Sequence, residues 1–385
     1  MKDSTKCVWG AESLEHLGSV SMPIYQTANF GFKDTEEVLK AVRGEEGKYL
    51  YTRWDNPTVK LAEKKIALLE EGEDSLLFSS GMAAIICSAL AFLSKGDKAL
   101  AFRELYGEAI NFFKNILPKF GIEVSFVKDY EELERELNKR TKLIYFETPT
   151  NPTLKVIDIA KVKALAEKYK TLVFVDNTFA TPINQKPLKL GADLVIHSAS
   201  KYLNGHSDLI AGAIVGRNEL IGKIKAMRRV LGCVLDPFGA WLLIRGIKTL
   251  DIRVERHNKN ALELAKYLEK QSKVNKVYYP GLPTNEYYEL SKKQMKGFGG
   301  MLSFELKGGY KEAKGFVERL RFRILGASLG GVETIITHPA STSHSMLSKE
   351  EREILGIKDG LIRVSLGIED VEDIIEDFDK AFNYL

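Results

Sequence analysis

The stretch Ala192–Gly212, ADLVIHSASKYLNGHSDLIAG, decides how the rest of the chain is read. Asp193 to Ile196 is a short apolar run of the kind buried in a parallel sheet. A turn of small and hydroxyl residues follows, then a single lysine, Lys201, then Tyr202, Leu203 and a Gly-His-Ser run. Lys201 therefore stands apart from the lysines on charged helical faces. A lysine delivered just past such a strand lies at the carboxyl edge of the sheet, where open α/β sheets bind ligands. Partial burial disfavours the charged form of an amine and leaves it able to attack a carbonyl. The chemical reading is a Schiff-base lysine, and the alternative is a solvated lysine on a loop.

The preceding strand narrows the choice. TLVFVDNTFATP, Thr171 to Pro182, is an apolar strand ending on Asp176. An acid at the end of a buried strand needs a partner or a task. A carboxylate followed, one βα interval later, by a lysine in a Ser-x-Ser-Lys turn suits pyridoxal 5'-phosphate. That cofactor takes a lysine at its aldehyde and a carboxylate at its ring nitrogen. From these residues the chain resembles the Cys/Met-metabolism family of pyridoxal-phosphate enzymes, among them cystathionine γ-synthase, cystathionine γ-lyase and methionine γ-lyase. The resemblance runs over nearly the whole length.

Working outward, YLYTRWDNPT (Tyr49–Thr58) places Tyr51 and Arg53 two residues apart, on one side of an extended segment. A guanidinium beside a phenol makes a phosphate clamp. The stretch resembles the family's Tyr-x-Arg-x-x-Asn-Pro-Thr motif, which implies that the pair reaches the cofactor phosphate of a second subunit. The turn Asn-Pro-Thr starts a helix over Val59–Glu70. SLLFSSGMAAIICSALAFL (Ser75–Leu93) reads as strand, turn and helix, with free N–H groups at the helix start ready for an anion. By resemblance Ser80, Gly81 and Met82 form the phosphate cradle. Tyr106, beyond a strand over Lys98–Phe102, matches a tyrosine that lies over the ring and acts as acid or base. Stacking on a cationic ring would lower its pKa. Many relatives have Gly or Cys where this chain has Glu108, and methionine γ-lyases typically have Cys there. After a strand over Lys142–Phe146, ETPTNPTLKVIDI supplies Asn151, which by resemblance bonds the phenolic oxygen, and Glu147, of less defined role. Thr178 is expected to support Asp176, and Ser198 and Ser200 to donate to phosphate.

Strand–helix alternation from Asp74 to Val215 argues for a mostly parallel sheet with helices on both faces, and no GxGxxG follows a strand. Cys233–Pro237 reads as a junction. Phe238–Gln271 then reads as one long amphipathic helix, leading to strands over Lys276–Tyr279 and Met301–Leu306 and a last helix over Val371–Leu385. GASLGGVETIITHPASTSH (Gly326–His344) resembles the family's substrate-side loop, with Ser328 helping to hold the substrate carboxylate and Ser343 where threonine is usual. Arg363 lies inside the apolar run LIRVSLGIED. An arginine there needs an anion, and a bidentate grip on an amino-acid carboxylate fits. Ala327 stands where cystathionine specialists often carry Glu. Arg228 and Arg229 stand where methionine γ-lyases usually carry Lys-Asp. His338 and His344 lack metal-ligand company.

Composition bounds the rest. The 385 residues are 44% apolar and 10% aromatic, with a net charge of +4, an ordinary globular balance with no basic stripe for nucleic acid. The longest apolar run, Ala83–Leu93, is too short to cross a bilayer. Three scattered cysteines (Cys7, Cys87, Cys233) fit a reducing cytoplasm, and few glutamines among many Lys and Glu point to a heat-adapted source. Together the expectation is an α/β protein of the type I pyridoxal-phosphate-dependent transferase fold. Its parts are an arm (1–45), a cofactor domain (46–237) and a smaller C-terminal α/β domain (238–385). The resemblance implies a homotetramer of two catalytic dimers and γ-elimination of L-cystathionine and/or L-methionine to 2-oxobutyrate, ammonia and a thiol. Lys201 and Tyr106 would be catalytic, with no metal. The alternatives are γ-replacement, by a cystathionine γ-synthase or homoserine-ester sulfhydrylase, and, more distantly, a non-catalytic binding protein of the same fold.

Overall fold

The structure is a computed structural model that describes residues 1–13, 16–45, 47–322, 324–342 and 348–385, with the backbone alone at residues 351 and 354. Ser343 and His344 lie outside the described residues. Seven strands build the large sheet: β1 (Asp74–Phe78), β2 (Lys98–Phe102), β3 (Glu123–Val127), β4 (Thr141–Glu147), β5 (Leu172–Asp176), β6 (Leu194–Ser198) and β7 (Gly212–Gly216). Their order is β1-β7-β6-β5-β4-β2-β3, parallel except for β7, which runs antiparallel to both neighbours. β2 and β7 are buried at every position, as expected of strands covered on both faces.

Period-2 alternation assigns the faces. Leu77, Val195, Ala213 and Val215 pack against the helices Pro57–Glu70 and Pro237–Ile247. Leu76, Phe78, Leu194, Ile196 and Ile214 pack on the other side against Gly81–Leu90 and Asn218–Leu231. Asn56 caps the helix Pro57–Glu70 by accepting from the Thr58 N–H, and Pro57 occupies its first turn.

The second sheet, in the order β10-β11-β12-β9-β8, comprises β8 (Val274–Tyr278), β9 (Met301–Leu306), β10 (Ile324–Leu325), β11 (Ile335–Thr337) and β12 (Leu361–Ser365). Arg363 on β12 is the register partner of Thr337 on one side and Ser303 on the other.

Several expected boundaries move. β6 extends through His197 and Ser198, so the turn that carries Lys201 begins later. The long helix expected over Phe238–Gln271 is two, Pro237–Ile247 and Leu250–Glu269. At the break the helices meet a distant part of the chain. Gly246 lies so close to Asn204 that a Cβ there would stand 2.3 Å from the Asn204 carbonyl oxygen. Arg253 then donates to the Gly246 and Tyr202 carbonyls, capping the first helix end. Ala240, Leu243, Ile247, Leu250 and Val254 belong to the core of the large sheet, whereas Ala261, Leu264 and Leu268 join that of the small one. The change of core thus falls within the helix Leu250–Glu269, beyond the expected 237/238 division. The first residues of the arm are also docked on this chain: the helix Asp3–Trp9 buries Cys7 in the core, and Lys65 Nζ donates to the Cys7 carbonyl at 3.1 Å.

Candidate active site

The antiparallel setting of β7 explains how two distant turns meet. Gly212, the first residue of β7, is the register partner of both Phe78 and Ser198. It therefore sits where β1 leads into Ser79–Gly81 and β6 leads into Lys201. A Cβ on Gly212 would stand 2.1 Å from the Ser80 carbonyl oxygen, and one on Gly81 would stand 2.9 Å from Ser198 Cβ. Only glycine permits these approaches. Ser80 caps the helix Gly81–Leu90, its Oγ accepting from the Ala83 N–H at 3.0 Å. The N–H groups of Gly81 and Met82 head this ten-residue helix, where no intrahelical carbonyl reaches them. The turn ahead of Lys201 is fastened by Ser200, whose Oγ accepts from the Ala211 N–H and donates to the Ala211 carbonyl. In this arrangement the side chain facing the helix start is Ser198, and Ser200 serves the backbone.

The ends of β4, β5 and β6 carry the acidic part. Glu147 and Asp176 are register partners on adjacent strands. The Asp176 Oδ1 accepts from the Thr178 N–H at 2.9 Å, and the Tyr145 hydroxyl approaches its Oδ2 at 3.4 Å. Thr178 Oγ1 accepts from the Ser198 N–H at 2.8 Å, locking β5 to β6. Burial pushes the Asp176 carboxyl up, opposed by its hydrogen bonds to Thr178. Glu147, buried, accepts from the Tyr106 N–H at 2.7 Å and is pushed well above the carboxylate range by burial and by the Asp176 charge. Tyr106 itself is part-exposed. Desolvation, then the Glu108 charge, raises its pKa, so in this protein environment it is a phenol rather than a phenolate.

The cationic part joins the two sheets. Lys201 Nζ donates to Ser328 Oγ at 2.7 Å. Burial, then the Arg363 charge, lowers the amine to about 8. Arg363 is 3% exposed. Its Nη1 donates to Asn151 Oδ1 at 2.9 Å, and its Nη2 to the Ser328 carbonyl at 3.1 Å and Thr337 Oγ1 at 3.3 Å. All three acceptors are neutral, and Nε has no partner among the described residues. Desolvation lowers this guanidinium to about 10. Ser328 holds its place with φ +92°, outside the usual range for a side-chain-bearing residue. A buried cation with neutral partners and a spare N–H is shaped for an anion that the chain does not supply.

Tyr51 and Arg53 stand apart from this cluster. Both lie toward the surface, the Arg53 guanidinium 5.6 Å from the Tyr51 ring centroid, with Nη1 donating to the Arg229 carbonyl at 2.5 Å. Arg228 and Arg229, adjacent in sequence, do different things. Arg228 is buried against Glu63 Oε1 at 2.8 Å and the Leu77 carbonyl, while Arg229 lies over the Trp54 ring. Sequence reasoning missed Tyr145 and Thr337. Tyr145 shares a face with Glu147 two residues on, so period 2 could have found it. Thr337 meets Arg363 only through the register of β11 with β12, which no local pattern encodes.

The residues fit pyridoxal phosphate on the structure's own terms. There is a glycine-permitted cradle at a capped helix start, an amine held below its ordinary pKa, a carboxylate at a strand end, and an arginine with an unfilled donor. Among the described residues no His/Cys/Asp/Glu cluster could hold a metal, and no helix is long and apolar enough to cross a membrane.

The family model for Cys/Met metabolism PLP-dependent enzymes matches residues 4–383. Among curated proteins, the L-methionine gamma-lyase of Fusobacterium nucleatum subsp. nucleatum is 49% identical over 377 residues, covering 96% of this chain and 95% of that protein. A cystathionine beta-lyase of Lactococcus lactis subsp. cremoris is 44% identical over 381 residues, covering 98% of both. The crystal structure of cystathionine gamma-lyase from Lactobacillus plantarum, complexed with L-serine, superposes with a TM-score of 0.93 at 39% identity, covering 100% of this chain and 99% of that one.

Proposed function

This chain belongs to the Cys/Met metabolism PLP-dependent enzyme family, and from that premise we propose that it is a carbon–sulfur lyase. Its reaction in this reading is γ-elimination of L-methionine, and of L-cystathionine beside it. With methionine, one water is consumed and 2-oxobutyrate, ammonia and methanethiol are released. The observation that carries the reading is Arg363: a buried guanidinium, partnered only by neutral oxygens, on the substrate side of Lys201.

Pyridoxal phosphate would be held by the Gly81 and Met82 N–H groups with Ser80 and Ser198 at the phosphate, Asn151 and Asp176 at the ring, and Lys201 at the aldehyde. When bound it supplies the electron sink that makes Cα–H and Cβ–H bonds acidic. The chain's own residues do the rest. Arg363 grips the substrate α-carboxylate and fixes the Cα–H bond near Lys201. Burial and the Arg363 charge lower Lys201 to about 8, which favours the neutral amine able to take the α-proton and carry protons onward. Ser328 Oγ orients that amine. Tyr106, kept protonated by burial and the Glu108 charge, gives its proton to the departing sulfur.

Methionine comes first because relatives spanning nearly the full chain at 49% and 43% identity are named for it. Cystathionine stays beside it because Glu108 stands where methionine γ-lyases typically carry Cys. Tyr51 and Arg53, exposed and away from Lys201, support a site completed across a dimer and hence a homo-oligomer, a tetramer of two catalytic dimers. Three free cysteines agree with a cytoplasmic setting. The test is 2-oxobutyrate release by the cofactor-loaded protein with the two thioethers in parallel. Release from methionine upholds the reading. Pyruvate from cystathionine instead replaces it with β-elimination. Release of neither, with cofactor bound, replaces it with γ-replacement on homoserine esters.

A further inference from the structure

Two carboxyl groups at the acidic end of the site have one obvious task between them. Asp176 has the cofactor ring nitrogen to meet. Glu147 is buried beside it, in register on the neighbouring parallel strand, so the two side chains leave the same face of strands about 4.8 Å apart. The hydrogen bonds that the described residues give them are unequal. Asp176 receives the Thr178 N–H and the Tyr145 hydroxyl, and the His197 charge favours its anion. Glu147 receives one group, the Tyr106 N–H at 2.7 Å, and the Arg363 charge that reaches Tyr106 is not among the influences on it. Adjacent buried carboxyls do not both ionise when no cation separates them. The better-solvated one keeps the charge, and that is Asp176.

We propose that Glu147 is the positioning residue of Tyr106: a neutral, proton-bearing carboxyl whose Oε1 holds the Tyr106 backbone and leaves Asp176 as the single negative charge at that end of the site. The consequence is geometric as well as electrostatic. Tyr106 begins the short helix Gly107–Asn111 and has no side-chain cap. The contact to Glu147 is what ties its backbone to the sheet, and so fixes where its phenol stands above the ring position. The proposal rests on the reading that the cofactor ring lies between Tyr106 and Asp176.

The experiment compares wild type, Glu147→Gln and Glu147→Met, each loaded with pyridoxal phosphate. Gln is a neutral group that still accepts from the Tyr106 N–H. Met keeps the volume and accepts nothing. The readouts are the visible absorption band of the bound cofactor, its Kd by titration, and kcat and KM for 2-oxobutyrate release from methionine. The expected result is rescue by the conservative variant: Gln keeps a tenth or more of kcat with the band in place. Met loses roughly 100-fold in kcat, the size of a misplaced general acid, with KM changed by no more than about 3-fold. A Gln variant as impaired as Met overturns the neutral carboxyl, and a Met variant with wild-type kcat overturns the positioning role. If Met does not fold, Gln decides alone, since a loss beyond about 100-fold removes the proposal. If the loaded wild type cleaves neither methionine nor cystathionine, the lyase reading fails. Cofactor binding still tests Glu147, because Met should then weaken Kd at least 10-fold while Gln does not.

Discussion

Replacing Arg363 by methionine separates what this residue does for the fold from what it does for the reaction. Burial holds the guanidinium at about 10, which puts the cost of keeping its charge there at about 3 kcal/mol. Against that stand three charge-assisted hydrogen bonds, to Asn151, Ser328 and Thr337, worth roughly 1.5–3 kcal/mol each. The bonds exceed the cost by about 1.5–6 kcal/mol. Arg363→Met should therefore lower the melting temperature of the cofactor-free protein by about 2–8 °C. The reaction has no such compensation. A bidentate grip on a carboxylate is two charge-assisted bonds of about 1.5–3 kcal/mol each, so kcat/KM for methionine should fall by roughly 10²–10⁴. The assay is 2-oxobutyrate release across a methionine series, run beside calorimetry on the same preparation. A fall of less than 10-fold refutes the carboxylate seat. A drop of more than about 10 °C in melting temperature also refutes it, since the arginine would then be structural.

Lys201 predicts a pH dependence of the cofactor-free chain. Its folded pKa, about 8, lies below its ordinary value, so between these the unfolded chain holds a proton that the folded chain has lost, and stability rises with pH. Wild type should gain on Lys201→Met in denaturant midpoint as pH climbs from 8 towards 10, and a constant difference between them contradicts the shift. Mixing inactive Arg53→Ala with inactive Lys201→Ala subunits should restore part of the activity through hybrid dimers, and no recovery after demonstrated exchange removes the cross-subunit clamp. Arg228→Ala strands Glu63 without its guanidinium and should cost about 3–5 kcal/mol in denaturant unfolding. Arg229→Ala, which loses only a stacking contact with Trp54, should cost under about 2 kcal/mol.

What the sequence made legible was chemistry carried on short local signals. An apolar strand ending on Asp176, a hydroxyl turn before Lys201, a serine and glycine before a helix, and an arginine in an apolar run are all patterns within a few residues. Each marks a backbone position that physics singles out. The sequence did not reveal what depends on register and on distant approaches. The antiparallel β7 brings Gly212 between two turns, yet GAIVG reads like any buried strand. The split falls at Lys248–Thr249, beside the close approach of Gly246 to Asn204, more than forty residues earlier in sequence, so the periodicity of Phe238–Gln271 gave no sign of it. Ser200 lies beside Lys201, and its partner in the structure, the Ala211 backbone, comes from a loop whose path is tertiary.

The electrostatics of the site explain why so many of its groups look unsatisfied. Lys201, part-buried, and Arg363, buried, are two bases each lowered by desolvation, Lys201 also by the Arg363 charge, with hydroxyls and carbonyls for company. Glu147, buried, and Asp176, half-buried, are two acids at adjacent strand ends, each raised by desolvation. Among the described residues neither base is ion-paired with either acid. A chain selected for stability alone would pair them or replace them with apolar residues. In the proposed function they would present separate positive and negative poles to a molecule that carries both charges: an amino acid with its carboxylate towards Arg363, over a ring with its protonated nitrogen towards Asp176. Binding would then add to the stability of the protein, and the groups least well satisfied in the chain alone would be the ones that recognise the substrate.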